Sequence, residues 1–202
     1  MIGAIHPVVS TLLSIAIGYL VGSIPVAGWV ASRRSTDLRT IGDRNPGWWN
    51  AKEQLGRRAA LPVFLGDVAK GALAAGVGVL LAQDGRWGVG YAAAAAAMLG
   101  HAYPVFAGFR GSRSVLCFAG AVCVLSPVAA ALAIGGLVAT SLVSRSFAWG
   151  ARVAVFGFPF VQLLIEGPHR TAATGGLMSI IGLRFALATR AGTPGRASGD
   201  RA

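Results

Sequence analysis

The sequence predicts an all-α fold, a polytopic membrane helix bundle of about seven spans with its N-terminus outside and its C-terminus cytoplasmic. Three observations lead there. The 202 residues are 54% hydrophobic and only 12% charged, about half the charged share of a soluble domain, and a soluble fold of this length could not hide that much apolar surface. From Met1 to Ser32 there is no Asp, Glu, Lys or Arg, and about 20 apolar residues suffice to cross a bilayer. The net charge of +11 gathers in alternate loops, as basic segments do when they face an anionic leaflet. In a soluble chain the same excess would suggest nucleic acid. Here membrane lipids are the expected partner, nucleic acid is not, and the sequence leaves protein partners unknown.

The first apolar segment, 7–31, has no basic n-region, and Gly22-Ser23-Ile24-Pro25 stands where cleavage would fall. It therefore reads as a retained span, not a signal peptide. Further apolar segments run over 59–83, 87–109, 115–125, 128–144, 147–165 and 172–189. Ser126-Pro127 either kinks one helix or separates two, and charge arbitrates. With a break there, one side carries thirteen cations (Arg33, Arg34, Arg39, Arg44, Lys52, Arg57, Arg58, Arg110, Arg113, Arg145, Arg190, Arg196 and Arg201) and the other two, Arg86 and Arg170. A single span over 115–144 reduces the split to ten against five, so the positive-inside rule selects the break. Eleven residues rise only about 16 Å, so 115–125 should be short, tilted or partly re-entrant, and shielded by its neighbours.

Gly18-x-x-x-Gly22 and the alanine run 92–97 offer small faces on which helices can approach closely. Cys117 and Cys123, six residues apart without His or acidic neighbours, read as packing residues and not as a metal site. Residues 1–190 are expected to form one integral membrane domain. The Gly, Pro, Ser and Arg rich stretch 191–202 is expected to be a disordered basic cytoplasmic tail.

Chemistry concentrates in three places. The loop from Arg33 to Arg58 holds seven cations, three acids and Gly42-Asp43-Arg44-Asn45-Pro46-Gly47-Trp48-Trp49-Asn50, which suits either a ligand-binding or a solvated interfacial loop. Asp67 and Lys70 lie in the second span on one helix face, where ionisable groups partner each other, for structure or for function. His101 ends the third span, and Arg110-Gly111-Ser112-Arg113-Ser114 feeds the fourth. Backbone N–H groups at such a helix start suit an anion, and two arginines reinforce it; the plainer readings are an interhelical hydrogen bond for His101 and lipid anchoring for the arginines. Together the three elements suit a phosphate-bearing lipid precursor.

These residues resemble the bacterial acyl-phosphate:glycerol-3-phosphate acyltransferases of the PlsY type. The resemblance runs through Gly22-Ser23-Ile24-Pro25, Asp37-x-Arg39, Gly42-x-x-Asn45-Pro46-Gly47-x-x-Asn50, Asp67-x-x-Lys70-Gly71 and Gly100-His101-x-x-Pro104-Val105-Phe106 to the Arg110-Gly111 loop. It covers about residues 18–121, without a gap from Asn50 to Asp67 and again across 99–121. It implies seven spans, a cytoplasmic active face in the plasma membrane, and acyl transfer from acyl phosphate to glycerol 3-phosphate, a step of phospholipid biosynthesis, with no metal or other cofactor. It also implies His101, Lys70 and Arg113 as catalytic residues, and Asn45, Asn50, Arg57, Arg110, Gly111 and Ser112 as phosphate ligands.

The departures fall in the polar loops. Gly-Ser-Gly-Asn of the family reads Gly42-Asp43-Arg44-Asn45, and an arginine position is Glu53, so carboxylates are expected to oppose phosphate there. Lys-Gly-Gly-Lys-Gly reads Arg110-Gly111-Ser112-Arg113-Ser114, keeping both charges and losing two glycines. Arg44 and Arg57 are candidates to compensate. His169-Arg170 looks like the start of the family's His-x-x-Asn pair, but Ala172 stands at the Asn position, and no role is carried to His169. An acyltransferase is the first reading; a non-catalytic lipid-binding relative with a decayed site is the alternative, and an anion transporter a third.

Overall fold

The computed structural model describes residues 6–82 and 85–190. The expected tail, 191–202, lies outside the described residues. Among the described residues nine α-helices follow one another: α1 Pro7–Gly22, α2 Val26–Ser32, α3 Trp48–Leu55, α4 Arg57–Leu81, α5 Gly88–Ala102, α6 Val115–Leu125, α7 Pro127–Ser144, α8 Phe147–Glu166 and α9 Pro168–Arg190. Among the described residues five helical stretches are long and apolar enough to cross a membrane: α1 with α2, α4, α7, α8 and α9. Leu12, Leu65, Leu80, Val143 and Leu164 stand exposed on them, the outward apolar surface of a membrane protein.

Two proline rules shape the ends near the polar loops. Pro25 has no N–H to continue α1, so the first apolar segment is two helices broken at Ser23-Ile24-Pro25, not one. Pro104 disfavours helical geometry at Tyr103, and α5 ends at Ala102 although the apolar run extends to Phe109. At Ser126-Pro127 the chain does break: Ser126 leaves helical geometry and Pro127 opens α7 as its first residue.

The small faces do what their composition predicts. Gly18 and Gly22 of α1 lie directly on the backbone of Ala93 and Ala97 of α5, and Gly71 of α4 and Gly120 of α6 abut the carbonyls of Cys117 and Val68; a Cβ at any of the four would collide. Bare backbones in van der Waals contact hold membrane helices that water does not drive together. Cys117 is buried at the α4–α6 contact, but Cys123 is exposed, so only the first is a packing residue. Helices α7 and α8 pack chiefly on each other as a hairpin, joined to the rest at Ala129, Ala130 and Phe158.

Helices α5 and α6 are short, 15 and 11 residues. They are joined by segment 103–114, in which Pro104, Ser112 and Ser114 are buried while Val105, Phe106, Phe109 and Arg110 are exposed. His101 at the end of α5 reaches Lys70 of α4, and Lys70 stands about 20 Å along α4 from its first residue.

Candidate active site

The break after α1 exposes a carbonyl in the bundle interior, and a lysine takes it. Lys70 Nζ donates to Ile24 O at 2.8 Å, ion-pairs with Asp67 Oδ1 at 2.9 Å and lies 3.1 Å from His101 Nδ1. Asp67, Lys70 and His101 are all buried, at 2%, 4% and 7% exposure. An ammonium donates three hydrogens and accepts none, so His101 accepts at Nδ1 and carries its own proton on Nε2. The pairing expected from the i,i+3 spacing is thus a three-residue cluster completed by His101. It forms the floor of a cleft of about 430 Å³ whose walls include Ile24, Pro25 and Trp29 on one side, Asp37, Arg39 and Pro46 on the second, and Phe106, Arg110, Gly111 and Ser112 on the third.

The second wall is a loop stiffened by its own side chains. Asn50, the third residue of α3, is fully buried and donates both amide hydrogens, to Leu38 O at 2.9 Å and Ile41 O at 3.1 Å. Gly42, at φ +58°, leaves room for it; a Cβ there would collide with the Asn50 amide oxygen. Asp37 holds Arg39 through hydrogen bonds at 2.9 Å and 3.1 Å, and those bonds keep the Asp37 carboxyl below its ordinary pKa. Arg39 also reaches Ala107 O at 3.5 Å across the cleft mouth.

The third wall is segment 103–114. Gly111 N–H and Ser112 N–H donate to Ala102 O and His101 O, each at 3.1 Å, and Gly111 has no space for a Cβ against the His101 carbonyl. These two amides close the end of α5 and are not available to a phosphate, contrary to the anion cradle expected from the Gly-Ser loop. Ser114 occupies a left-handed conformation, φ +63°, where the resembled pattern has glycine, and its hydroxyl donates to Met98 O at 2.7 Å. From α9, Arg184 grips the segment: Nη2 donates to Gly111 O at 3.1 Å, Nε to Ser112 O at 3.4 Å, and the guanidinium lies 4.6 Å from the Tyr103 ring.

Of the residues singled out in the sequence, Lys70, His101, Arg110, Gly111 and Ser112 line the cleft. Asn50 does not; it clamps the loop. Asn45 lies beside Ser112, both packed against the site a Gly47 side chain would fill, at 2.8 Å and 2.7 Å. Arg57 is exposed at the start of α4 and Arg44 is exposed on its loop, and neither lines the cleft. Arg113 is turned to Asp43, at 3.0 Å, so the carboxylate expected to oppose phosphate is neutralised within the protein. Glu53 accepts a hydrogen bond from the Trp49 indole on the exposed face of α3, away from the cleft, and does not oppose phosphate either. His169 is exposed at the start of α9, at the far end of the bundle. The residue of this wall that spacing alone does not reveal is Arg184; its signal is a lone cation inside an apolar span.

A family model described as glycerol-3-phosphate acyltransferase matches residues 12–190. A glycerol-3-phosphate acyltransferase of Symbiobacterium thermophilum is 38% identical over 79% of this chain and 80% of its own length. One of Synechococcus sp. (strain CC9902) is 35% identical over 85% and 86%. The crystal structure of PlsY, an integral membrane glycerol 3-phosphate acyltransferase, in its glycerol 3-phosphate form superposes with a TM-score of 0.78 at 26% identity, over 94% of this chain and 96% of that one. With its helices, its buried Lys70 cluster and these relatives taken together, the chain belongs to the glycerol-3-phosphate acyltransferase family, as an all-helical membrane acyltransferase.

Proposed function

We propose that the chain transfers an acyl group from an acyl phosphate to glycerol 3-phosphate on the cytoplasmic face of the plasma membrane, within one domain of seven spans covering residues 1–190. The observation that carries this reading is the buried Asp67–Lys70–His101 floor opening on a cleft rimmed by Arg39 and Arg110. A buried ammonium beside an N–H donor is worth far more to a developing oxyanion than the same groups in water. The thirteen-to-two division of loop cations supports the cytoplasmic orientation.

A hydroxyl oxygen of glycerol 3-phosphate bonds to the acyl carbon. The bond from that carbon to the bridging phosphate oxygen breaks, and inorganic phosphate departs with the hydroxyl proton. Lysophosphatidic acid remains. His101 Nδ1 is occupied by Lys70 and its Nε2 is protonated, so the ring serves as donor to the carbonyl oxygen and not as base. Arg110, exposed at the mouth, holds a substrate phosphate, and Ser112 and Asn45 lie where they can add hydrogen bonds. Gathering both substrates over this floor supplies the rest of the acceleration.

The test is direct. Purified protein in lipid nanodiscs receives palmitoyl phosphate and glycerol 3-phosphate, and lysophosphatidic acid and phosphate are measured. Formation of both, abolished in Lys70→Ala, is expected. Silence across acyl donors would instead favour a lipid-binding relative without turnover, the reading motivated by the missing His-x-x-Asn pair.

A further inference from the structure

We propose that Asp43 and Arg113 form a latch between the two phosphate-facing loops, and that Arg113 acts in this chain as a positioning residue instead of a phosphate ligand. The proposal deepens the reading above and rests on it. Both residues stand where the chain departs from the pattern it resembles, Asp43 for a serine and Arg113 for a lysine, and the two departures meet in space.

The geometry commits each partner. Arg113 Nη1 donates to Asp43 Oδ2 at 3.0 Å, and the side chains are 19% and 18% exposed. At that burial the pair is partly desolvated and stronger than an open surface ion pair. Asp43 Oδ1 accepts the Asn45 N–H at 3.1 Å, so the carboxylate is fixed at both oxygens. The Arg113 guanidinium lies 4.7 Å from the Phe185 ring of α9, so it is held on a face as well as an edge. Neither Asp43 nor Arg113 lines the cleft. Beside the pair the loops touch directly, with Ser112 Oγ packed where a Gly47 side chain would project. The latch thereby sets the separation between Pro46 and Arg110, which both line the cleft. A lysine at 113 has no planar face to lay on Phe185 while donating to the carboxylate, and a serine at 43 would leave the arginine without its counter-charge.

Exchange of the two charges tests this. Asp43→Arg and Arg113→Asp are made singly and together, and KM and kcat for glycerol 3-phosphate are measured beside the thermal midpoint in nanodiscs. Each single change is expected to raise KM by roughly tenfold with a smaller effect on kcat, the size of one charge-assisted hydrogen bond. Each should also lower the midpoint. The exchange is expected to recover most of both losses, because it rebuilds the pair in reverse. A phosphate ligand cannot be rescued this way: if the exchanged protein stays as impaired as Arg113→Asp, or if Asp43→Ser lowers KM, the latch is overturned. The midpoint needs no turnover. Recovery of the midpoint in a wild-type background without acyl transfer would uphold the latch while the proposed reaction failed, and the absence of any coupling in the midpoint would remove the latch whatever the activity.

Discussion

The bundle buries polar side chains at both ends, and the two sets differ in what they leave open. At the cleft end, Asp67, Lys70 and His101 border a 430 Å³ space. At the far end, Gln162 Nε2 of α8, with two hydrogens to donate, lies 2.9 Å from Tyr91 Oη, 2.7 Å from Ser126 Oγ and 3.1 Å from Glu166 Oε2. Ser126 donates to Glu166 at 2.8 Å, and Arg170 lies 3.6 Å from the same carboxylate. Thr174 of α9 completes the set at 3.4 Å from Tyr91 Oη. The far set ties α5, the α6–α7 break, α8 and α9 together, and none of its members lines the cleft. Burying polar groups in lipid is expensive in either place. At one end the return is a charged floor beneath an open cleft, at the other a rivet holding helices.

The largest effect follows from breaking the first set. Lys70→Met is expected to lower kcat/KM by about 10²–10³-fold, the range for disabling a preorganised donor in a dry site, because Lys70 commits its three hydrogens to Ile24 O, Asp67 and His101 and so fixes the tautomer that presents His101 Nε2–H. It also strands the Asp67 carboxylate, so the thermal midpoint should fall. The double variant Lys70→Met, Asp67→Leu removes both charges; replacement of a buried pair by apolar groups is often neutral for stability, so the midpoint should return while activity stays lost. If activity returned with the midpoint, the floor would be a rivet like its counterpart. Next in size is Arg184→Gln, which frees the carbonyls of Gly111 and Ser112. Glycerol 3-phosphate KM is expected to rise about tenfold with kcat changed less, and Arg184→Lys to recover part of it. Equal loss in kcat would place Arg184 at the reacting atoms instead.

The difference between the ends also separates what was legible in sequence. The later apolar helices, the Gly18–Gly22 face and the Asp67–Lys70 pair follow from local spacing, the break at Ser126-Pro127 from the division of loop charge, and each appears in the structure, whereas the split of 7–31 into two helices and the helix α3 are foreseen by neither. The partners of loop residues do not follow from spacing. Asp43 and Arg113 meet 70 residues apart. The Gly111 and Ser112 amides point back to α5 because Pro104 ends that helix early and leaves its last carbonyls in need of donors. Asn50 and Glu53 sit on an eight-residue helix, one on the buried face and one on the exposed face, and so short a helix has too few residues for a periodic pattern to identify its buried face. Arg184 was visible as an ionisable group in a span, but only the fold shows that α9 carries it to the 103–114 segment.

The far set should answer to stability alone. Gln162→Leu removes an amide NH2 group that donates among Tyr91, Ser126 and Glu166 and an amide oxygen that is buried without a partner. Interhelical hydrogen bonds in membranes contribute about 0.6–1.7 kcal/mol, so the midpoint should drop by a few degrees while kcat/KM stays within about twofold. A larger loss of activity than of stability would mean that α8 and α9 transmit position to the cleft.

Smallest of all is the effect expected at Glu53. In the pattern the chain resembles, this position carries an arginine, and a carboxylate in its place was expected to repel phosphate. The fold takes that charge out of play: Glu53 is bonded to Trp49 on the solvent side of α3, Lys52 sits 3.7 Å from the same indole, and the buried face of the helix is Asn50 and Ala51. Exposed charges at such positions are screened over about 8–10 Å. Glu53→Arg is therefore expected to change kcat/KM by less than about twofold at 0.15 M salt, measured against glycerol 3-phosphate. A severalfold drop in KM that disappears at high salt would show that the α3 surface still steers the substrate, and the cleft would then extend past Pro46 to include it.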